Sequence, residues 1–178
     1  VRIAMRRLAL VVVMLLVVSS LSVLVSRNSV ARAFMGGPVF IRSNGDVDPS
    51  DAPIQRNGDV YTLTGNITSS LDWDGIVIQR DNMVLDGAGY TVQSDGNGTG
   101  LNMYKIQNVT VKNTIVIGFG YGIDARYSSN ISILENVIMN AEAFAYSAGI
   151  FFSNCSGSEI SGDIIKSNGY GILLHGSN

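Results

Sequence analysis

Gly122-Ile123-Asp124-Ala125 is the central copy of a pattern that decides the fold. Upstream stand Gly100-Leu101-Asn102-Met103 and Gly75-Ile76-Val77-Ile78; downstream stand Gly149-Ile150-Phe151-Phe152 and Gly171-Ile172-Leu173-Leu174. The glycines are 25, 22, 27 and 22 residues apart. A second apolar series precedes the later copies, at Met83-Val84-Leu85, Val109-Thr110-Val111, Ile131-Ser132-Ile133 and Glu159-Ile160-Ser161. A third lies between them, at Tyr90-Thr91-Val92, Ile115-Val116-Ile117, Val137-Ile138-Met139 and Ile164-Ile165. Each period thus holds three short alternating strands, divided by Asn, Gly, Asp and Ser. Strands so short do not suit a sandwich, and no helical windows separate them as βαβ units require. A parallel β-solenoid remains, with one coil per period and coils stacked about 4.8 Å apart. Varying period length then means loops bulging from a corner while the strands stay in line.

Alternation assigns the faces. Ile123, Ile150 and Ile172 point inward and are expected to stack as an apolar column. The five glycines are expected to supply bends that β-branched residues resist. Asn108 and Asn130, one coil apart, are expected to form a buried amide ladder. Asn113, Asn136 and Asp163 are expected to share another corner. Outward on the Gly-Ile strands, Tyr104, Arg126, Ser153 and His175 make one column, and Asn102, Asp124, Phe151 and Leu173 the next. Tyr104, Asp124, Arg126, Phe151 and His175 are therefore the candidate ligand-binding residues: aromatic platforms beside a carboxylate and a guanidinium suit an extended sugar chain. The plainer alternative, preferred on base chemistry, is a solvated Asp124–Arg126 pair with Phe151 and Leu173 covered by a loop.

The run Leu85-Asp86-Gly87-Ala88-Gly89-Tyr90-Thr91-Val92, the segment from Asn108 to Asn113 and the segment from Gly118 to Ile123 resemble right-handed parallel β-helix proteins. They are most similar to the archaeal type of the NosD-like group, built of PbH1 repeats in the pectin-lyase-like fold. The resemblance implies an all-β chain wound as a single-stranded right-handed parallel β-helix. Phe40 to Pro49 and Asp59 to Leu63 look like that group's lead-in, expected to cap the first coil. The implied organisation is a signal peptide or membrane anchor at 1–33, a lead-in at 34–73 and repeats at 74–178. The chain stops at Asn178 without a polar or amphipathic cap, which predicts further coils beyond it. The resemblance is specific for fold and poor for activity.

NosD proteins are associated with the maturation of a copper enzyme, so copper is the cofactor to weigh. One His, one Cys and the scattered Met83, Met103 and Met139 make no soft-ligand constellation, so neither a metal site nor a cofactor is expected. Polysaccharide hydrolases of the fold use clustered carboxylates. Here Asp86, Asp124 and Asp163 fall in separate strand series, and Asp72-Trp73-Asp74 sits in a connecting loop. Asp95-Gly96-Asn97-Gly98-Thr99 opens like a calcium loop but has Ile106 where the twelfth-position Glu belongs.

Residues 2–33 contain five of the twelve basic residues and no acid, leaving seven bases against fourteen acids in the remainder. So acidic a body excludes nucleic acid and an anionic membrane surface as partners. Arg2, Arg6 and Arg7 precede an apolar run at 8–25, followed by Ala31-Arg32-Ala33. This is the layout of a cleaved secretory signal, or of an uncleaved anchor, since about 17–25 apolar residues span a bilayer. Either places the body outside the cytoplasm, extracellular or on the cell surface. Among the acceptor sequons, Asn66 and Asn97 are the glycosylation candidates because they lie in loops. The function expected is that of an exported binding or structural module, with polysaccharide or cell-envelope glycan as the leading partner. The alternatives are a piece of a polysaccharide lyase or glycoside hydrolase whose catalytic coils lie elsewhere, and a purely architectural envelope protein.

Overall fold

β-Branched triplets broken by Gly, Asn and Ser cannot run on as long strands, so the chain turns after every few residues and pairs each strand with its counterpart one coil later. The computed structural model describes residues 34–70, 72–139, 141 and 147–178. The expected signal or anchor lies outside them. The described chain is all-β and coils as a parallel β-solenoid of three sheets. One sheet stacks Phe34–Gly36, Ile67–Ser69, Thr91–Gln93, Ile115–Ile117, Val137–Met139 and Ile164–Lys166. A second, the Gly-Ile sheet, stacks Val39–Ile41, Ile76–Ile78, Thr99–Tyr104, Tyr121–Arg126, Ala148–Ser153 and Tyr170–His175, with Val47–Asp48 antiparallel on its edge. The third stacks Val60–Leu63, Met83–Asp86, Gln107–Lys112, Ser129–Leu134 and Glu159–Ser161, with Ile54–Asn57 antiparallel on its edge.

The registers fix the core. Leu101 pairs with Ile123, Ile123 with Ile150 and Ile150 with Ile172. Leu101, Ile123 and Ile150 are wholly buried, against Val109, Ile131, Val116 and Ile138 from the other two sheets. Each such side chain contributes roughly 1.5–3 kcal/mol by leaving water. Ile172 and Leu174 belong to the same inward rows, yet stand 46% and 56% exposed because their strand is the outermost of its sheet.

Three expectations are corrected. The repeat glycines are not there for a left-handed bend, since none of the five has a positive φ. They are there for close approach. A Cβ on Gly75, Gly100, Gly122 or Gly149 would lie 2.6, 2.5, 2.5 or 2.8 Å from the carbonyl oxygen of the next glycine in the column. The amide ladder exists but is exposed: Asn108 Nδ2 donates to Asn82 Oδ1 at 2.8 Å, and Asn130 Nδ2 to Asn108 Oδ1 at 3.0 Å. All three have φ near +55°, a conformation Asn tolerates. The other corner joins Asn136 to Asp163 and to Thr114, whose N–H donates to Asn136 Oδ1 at 3.0 Å; Asn113 instead donates to Asp86.

Candidate functional site

The outward side of the Gly-Ile sheet is built by alternation along Tyr121–Arg126. Ile123 and Ala125 fill the tube, so Asp124 and Arg126 must stand outside it. Register places Asn102 before Asp124, and Phe151 and Leu173 after it. The neighbouring column runs Tyr104, Arg126, Ser153, His175.

Arg126 folds back along its own strand onto Asp124. Its Nε donates to both carboxylate oxygens at 3.0 Å, and its Nη2 to Oδ2 at 2.7 Å. The guanidinium lies 5.0 Å from the Phe151 ring centroid and 5.9 Å from that of Tyr121. Those two rings stack at 5.4 Å and 29°. The pair is not evenly solvated: the Asp124 side chain is 7% exposed and that of Arg126 43%. The surface therefore offers the cation and the rings, with the carboxylate beneath them. Phe151 and Leu173 are both half-buried.

Of the remaining candidates, Tyr104 is next to Arg126 in register, but its ring meets Tyr127 edge-on at 5.8 Å and 84°, with Lys105 Nζ 5.1 Å from it. His175 lies two rungs from Arg126, exposed, with Nδ1 3.5 Å from Ser153 Oγ. The structure thus brings Asp124, Arg126 and Phe151 together, keeps Tyr104 at one border and leaves His175 apart.

Asp74 and Tyr121 were not among the residues expected. Asp74 Oδ1 accepts from the Thr99 N–H and Oδ2 from Asn102 Nδ2, both at 2.8 Å, and its charge reaches Asp124. The signal was present: Asp74, Thr99, Tyr121, Ala148 and Tyr170 each immediately precede a repeat glycine. Register stacks Thr99, Tyr121, Ala148 and Tyr170 as a column of their own.

Burial pushes the Asp124 carboxyl above the ordinary carboxylate value. Bonding to Arg126 opposes the rise, and the nearby Asp74 charge adds to it. Arg126 is raised chiefly by its bonds to Asp124. Burial also raises Asp163, against its bonds from Asn136. At Asp86 burial acts upward too, but the Ala88 N–H, Asn113 and Lys112 together outweigh it, and the carboxyl is lowered. A carboxyl raised on folding adds stability that is complete below its unfolded value and is lost as pH rises through its folded value. Asp124→Asn removes that loss, so Tm at about pH 7 minus Tm at about pH 4 should be more positive in the variant than in the wild type. Equal differences in a thermal melt at the two pH values would contradict the assigned direction.

The two glycan-acceptor candidates, Asn66 and Asn97, are exposed, with Asn66 Oδ1 accepting from the Thr91 N–H at 3.0 Å. By contrast, the amide nitrogens of Asn108 and Asn130 are committed to the ladder.

Residues 81–178 match the family model described as periplasmic copper-binding protein (NosD). No curated protein and no solved structure matches the chain. The copper in that description can be tested against the donors present. Met83 and Met103 are sealed in the core at 2% and 0% exposure, and Met103 stands inside the tube opposite the solvent. Cys155 is buried and its thiol donates to the Ala125 carbonyl at 3.3 Å. His175 is exposed and faces Ser153. Among the described residues, soft donors so dispersed do not fit a copper ion, which needs several converging on one point.

Proposed function

The chain belongs to the NosD family, and from that premise we propose that it is an exported β-solenoid whose outward Gly-Ile face binds glycan. The family's periplasmic description supports export. The observation that carries the glycan reading is the stacked Tyr121–Phe151 pair with the Arg126 guanidinium alongside it. Aromatic rings present flat apolar surface to the C–H face of a sugar, while the exposed part of a guanidinium donates to its hydroxyls. The shape is prepared in advance, because Asp124 already holds Arg126 in place, so little side-chain freedom is lost on binding. Asp74 and Asp124 have every carboxylate oxygen engaged by donors of the protein itself, which favours binding over acid–base chemistry at this face. Asn66 and Asn97 are the acceptors we assign to any glycosylation of the chain.

The test is retention of the full chain on an array of polysaccharides. At least one should retain the wild type, and Phe151→Ala should weaken that retention roughly 3- to 10-fold, the loss of one stacking contact. Retention of none overturns the reading and leaves an architectural solenoid.

A further inference from the structure

Glycine follows asparagine four times in the chain, after Asn44, Asn57, Asn97 and Asn168. In such a pair the glycine's backbone nitrogen can attack the asparagine side-chain carbon, because no Cβ obstructs it and its backbone turns freely. Whether the attack occurs is decided by the fold. The nitrogen has to be free of an acceptor, the amide free to rotate, and the surroundings open to water.

Three of the four pairs fail these conditions. The Gly45 N–H donates to the Arg42 carbonyl at 2.8 Å, and Asp46 holds both ends of the Asn44 amide: Oδ1 accepts from its N–H at 3.0 Å, and Nδ2 donates to its Oδ2 at 2.8 Å. The Gly169 N–H donates to the Ala141 carbonyl at 2.9 Å. Asn168 Oδ1 accepts from the Ala141 N–H at 2.9 Å, and its Nδ2 donates to the Ile138 carbonyl at 3.3 Å. Gly98 is buried; its carbonyl accepts from the N–H groups of Gly120 and Tyr121, and a Cβ there would collide with the Trp73 carbonyl. So confined, it cannot swing toward the Asn97 side chain. The three aspartate–glycine pairs, which could yield the same product, are tied back as well. The N–H groups of Gly75, Gly87 and Gly96 donate to the Thr99 carbonyl, the Lys112 carbonyl and Ser94 Oγ at 2.8, 2.8 and 3.2 Å.

Asn57 and Gly58 differ on every count. They sit at the turn of the hairpin formed by Ile54–Asn57 and Val60–Leu63, where Asn57 pairs with Val60. Both are exposed, and a Cβ on Gly58 would meet nothing within 4 Å. Arg56 Nε donates to the Gly58 carbonyl at 2.9 Å, which leaves the nitrogen untouched. Among the described residues, neither the Gly58 N–H nor the Asn57 side-chain amide has a hydrogen-bonding partner.

We propose that Asn57 is a self-modifying site, which rearranges to isoaspartate through a succinimide. The Gly58 nitrogen bonds to Asn57 Cγ and gives up its proton; the Cγ–Nδ2 bond breaks, and Nδ2 leaves with that proton as ammonia. Water then adds to one of the two ring carbonyls. Opening at Cγ restores the ordinary chain as aspartate, and opening at the main-chain carbonyl routes the chain through Cβ and Cγ as isoaspartate. Nothing is oxidised or reduced. Either product sets a new carboxylate beside Asp59, at the tip of the outermost strand of the third sheet.

The full chain is incubated in mildly alkaline buffer, once folded and once in concentrated guanidinium chloride. Peptide mapping by mass spectrometry reads the mass gained at each asparagine when amide becomes acid. Methyl transfer from S-adenosylmethionine by a protein isoaspartyl methyltransferase reads isoaspartate. In the folded chain Asn57 should convert at least about tenfold faster than Asn44 or Asn168, since each of those must first give up three protein hydrogen bonds. In denaturant the four sites should converge to within about threefold, because the fold no longer restrains any of them. Asn57→Gln, whose longer side chain closes the ring far more slowly, should remove most of the folded chain's methyl acceptance and leave its melting temperature unchanged. Asn44 or Asn168 converting as fast as Asn57 in the folded chain overturns the assignment. So does an Asn57 that stays intact while folded and converts only in denaturant, or methyl acceptance undiminished by Asn57→Gln.

Discussion

Ile123→Asp should leave the protein without a cooperative unfolding transition. Ile123 is wholly buried, paired with Leu101 on one rung and Ile150 on the next. An aspartate there loses about 1.5–3 kcal/mol of apolar burial before its own polarity is counted. The carboxyl then meets only hydrocarbon from the three sheets, so it is forced to protonate or to draw in water, each costing several kcal/mol more. The sum approaches the roughly 5–15 kcal/mol that holds a domain together. Position makes it worse. A solenoid is stabilised by contacts between neighbouring rungs, and a break in the middle uncouples both halves. Circular dichroism on heating should show no sigmoidal loss of β signal, whereas Ile123→Val should retain the transition at a cost of about 1 kcal/mol. A wild-type melt for the aspartate variant means the column does not face inward.

Gly122→Ala carries the second largest effect. At Gly122 a Cβ would stand 2.5 Å from the Gly149 carbonyl oxygen and 2.4 Å from Ile138 Cγ2. The Ile138 methyl can turn aside; the carbonyl belongs to the paired rung and cannot move without prising two strands apart. About 3 kcal/mol of destabilisation is expected, a fall in Tm of roughly 6–12 °C for a chain of this size. A thermal melt of Gly122→Ala indistinguishable from wild type would show that rung-to-rung approach does not require glycine there.

The stacking was legible because spacing alone sets it: once Gly100, Gly122 and Gly149 are superposed, Ile123 has to meet Ile150. Which residues of a column see water was not legible. Asn108 and Asn130 form their ladder outside the tube, on a left-handed turn whose direction one sequence does not reveal. The corner shared by Thr114 and Asn136 was missed because Asn113, one residue earlier, has the more familiar turn chemistry, and one position decides which rung neighbour a side chain meets. At the candidate site, alternation found Asp124 and Arg126. It did not find that Asp124 is buried beside a half-exposed Arg126, nor that the guanidinium lies against rings from Tyr121 and Phe151, two residues in different columns on successive rungs. Asp74 escaped notice for a related reason: it looks like part of a linker until the position before each glycine is treated as a column of its own.

The exposed amides of Asn82, Asn108 and Asn130 point one way. Asn108 and Asn130 each donate an Nδ2 hydrogen to the Oδ1 of the preceding rung, so the linked side-chain dipoles add head to tail, as peptide dipoles do along a helix. The seam therefore has two unlike poles. Its oxygen pole, Asn130 Oδ1, lies where a Cβ on Gly157 would come within 2.7 Å, so the following rung covers it with bare backbone. Deamidation of Asn108 would set a carboxylate, unable to donate, against the oxygen of Asn82, and the run of aligned dipoles would split in two. Ageing of this surface is thus a matter of where along the seam the damage falls: a lesion at Asn108 severs it, while one at Asn82 takes away only a terminal amide group.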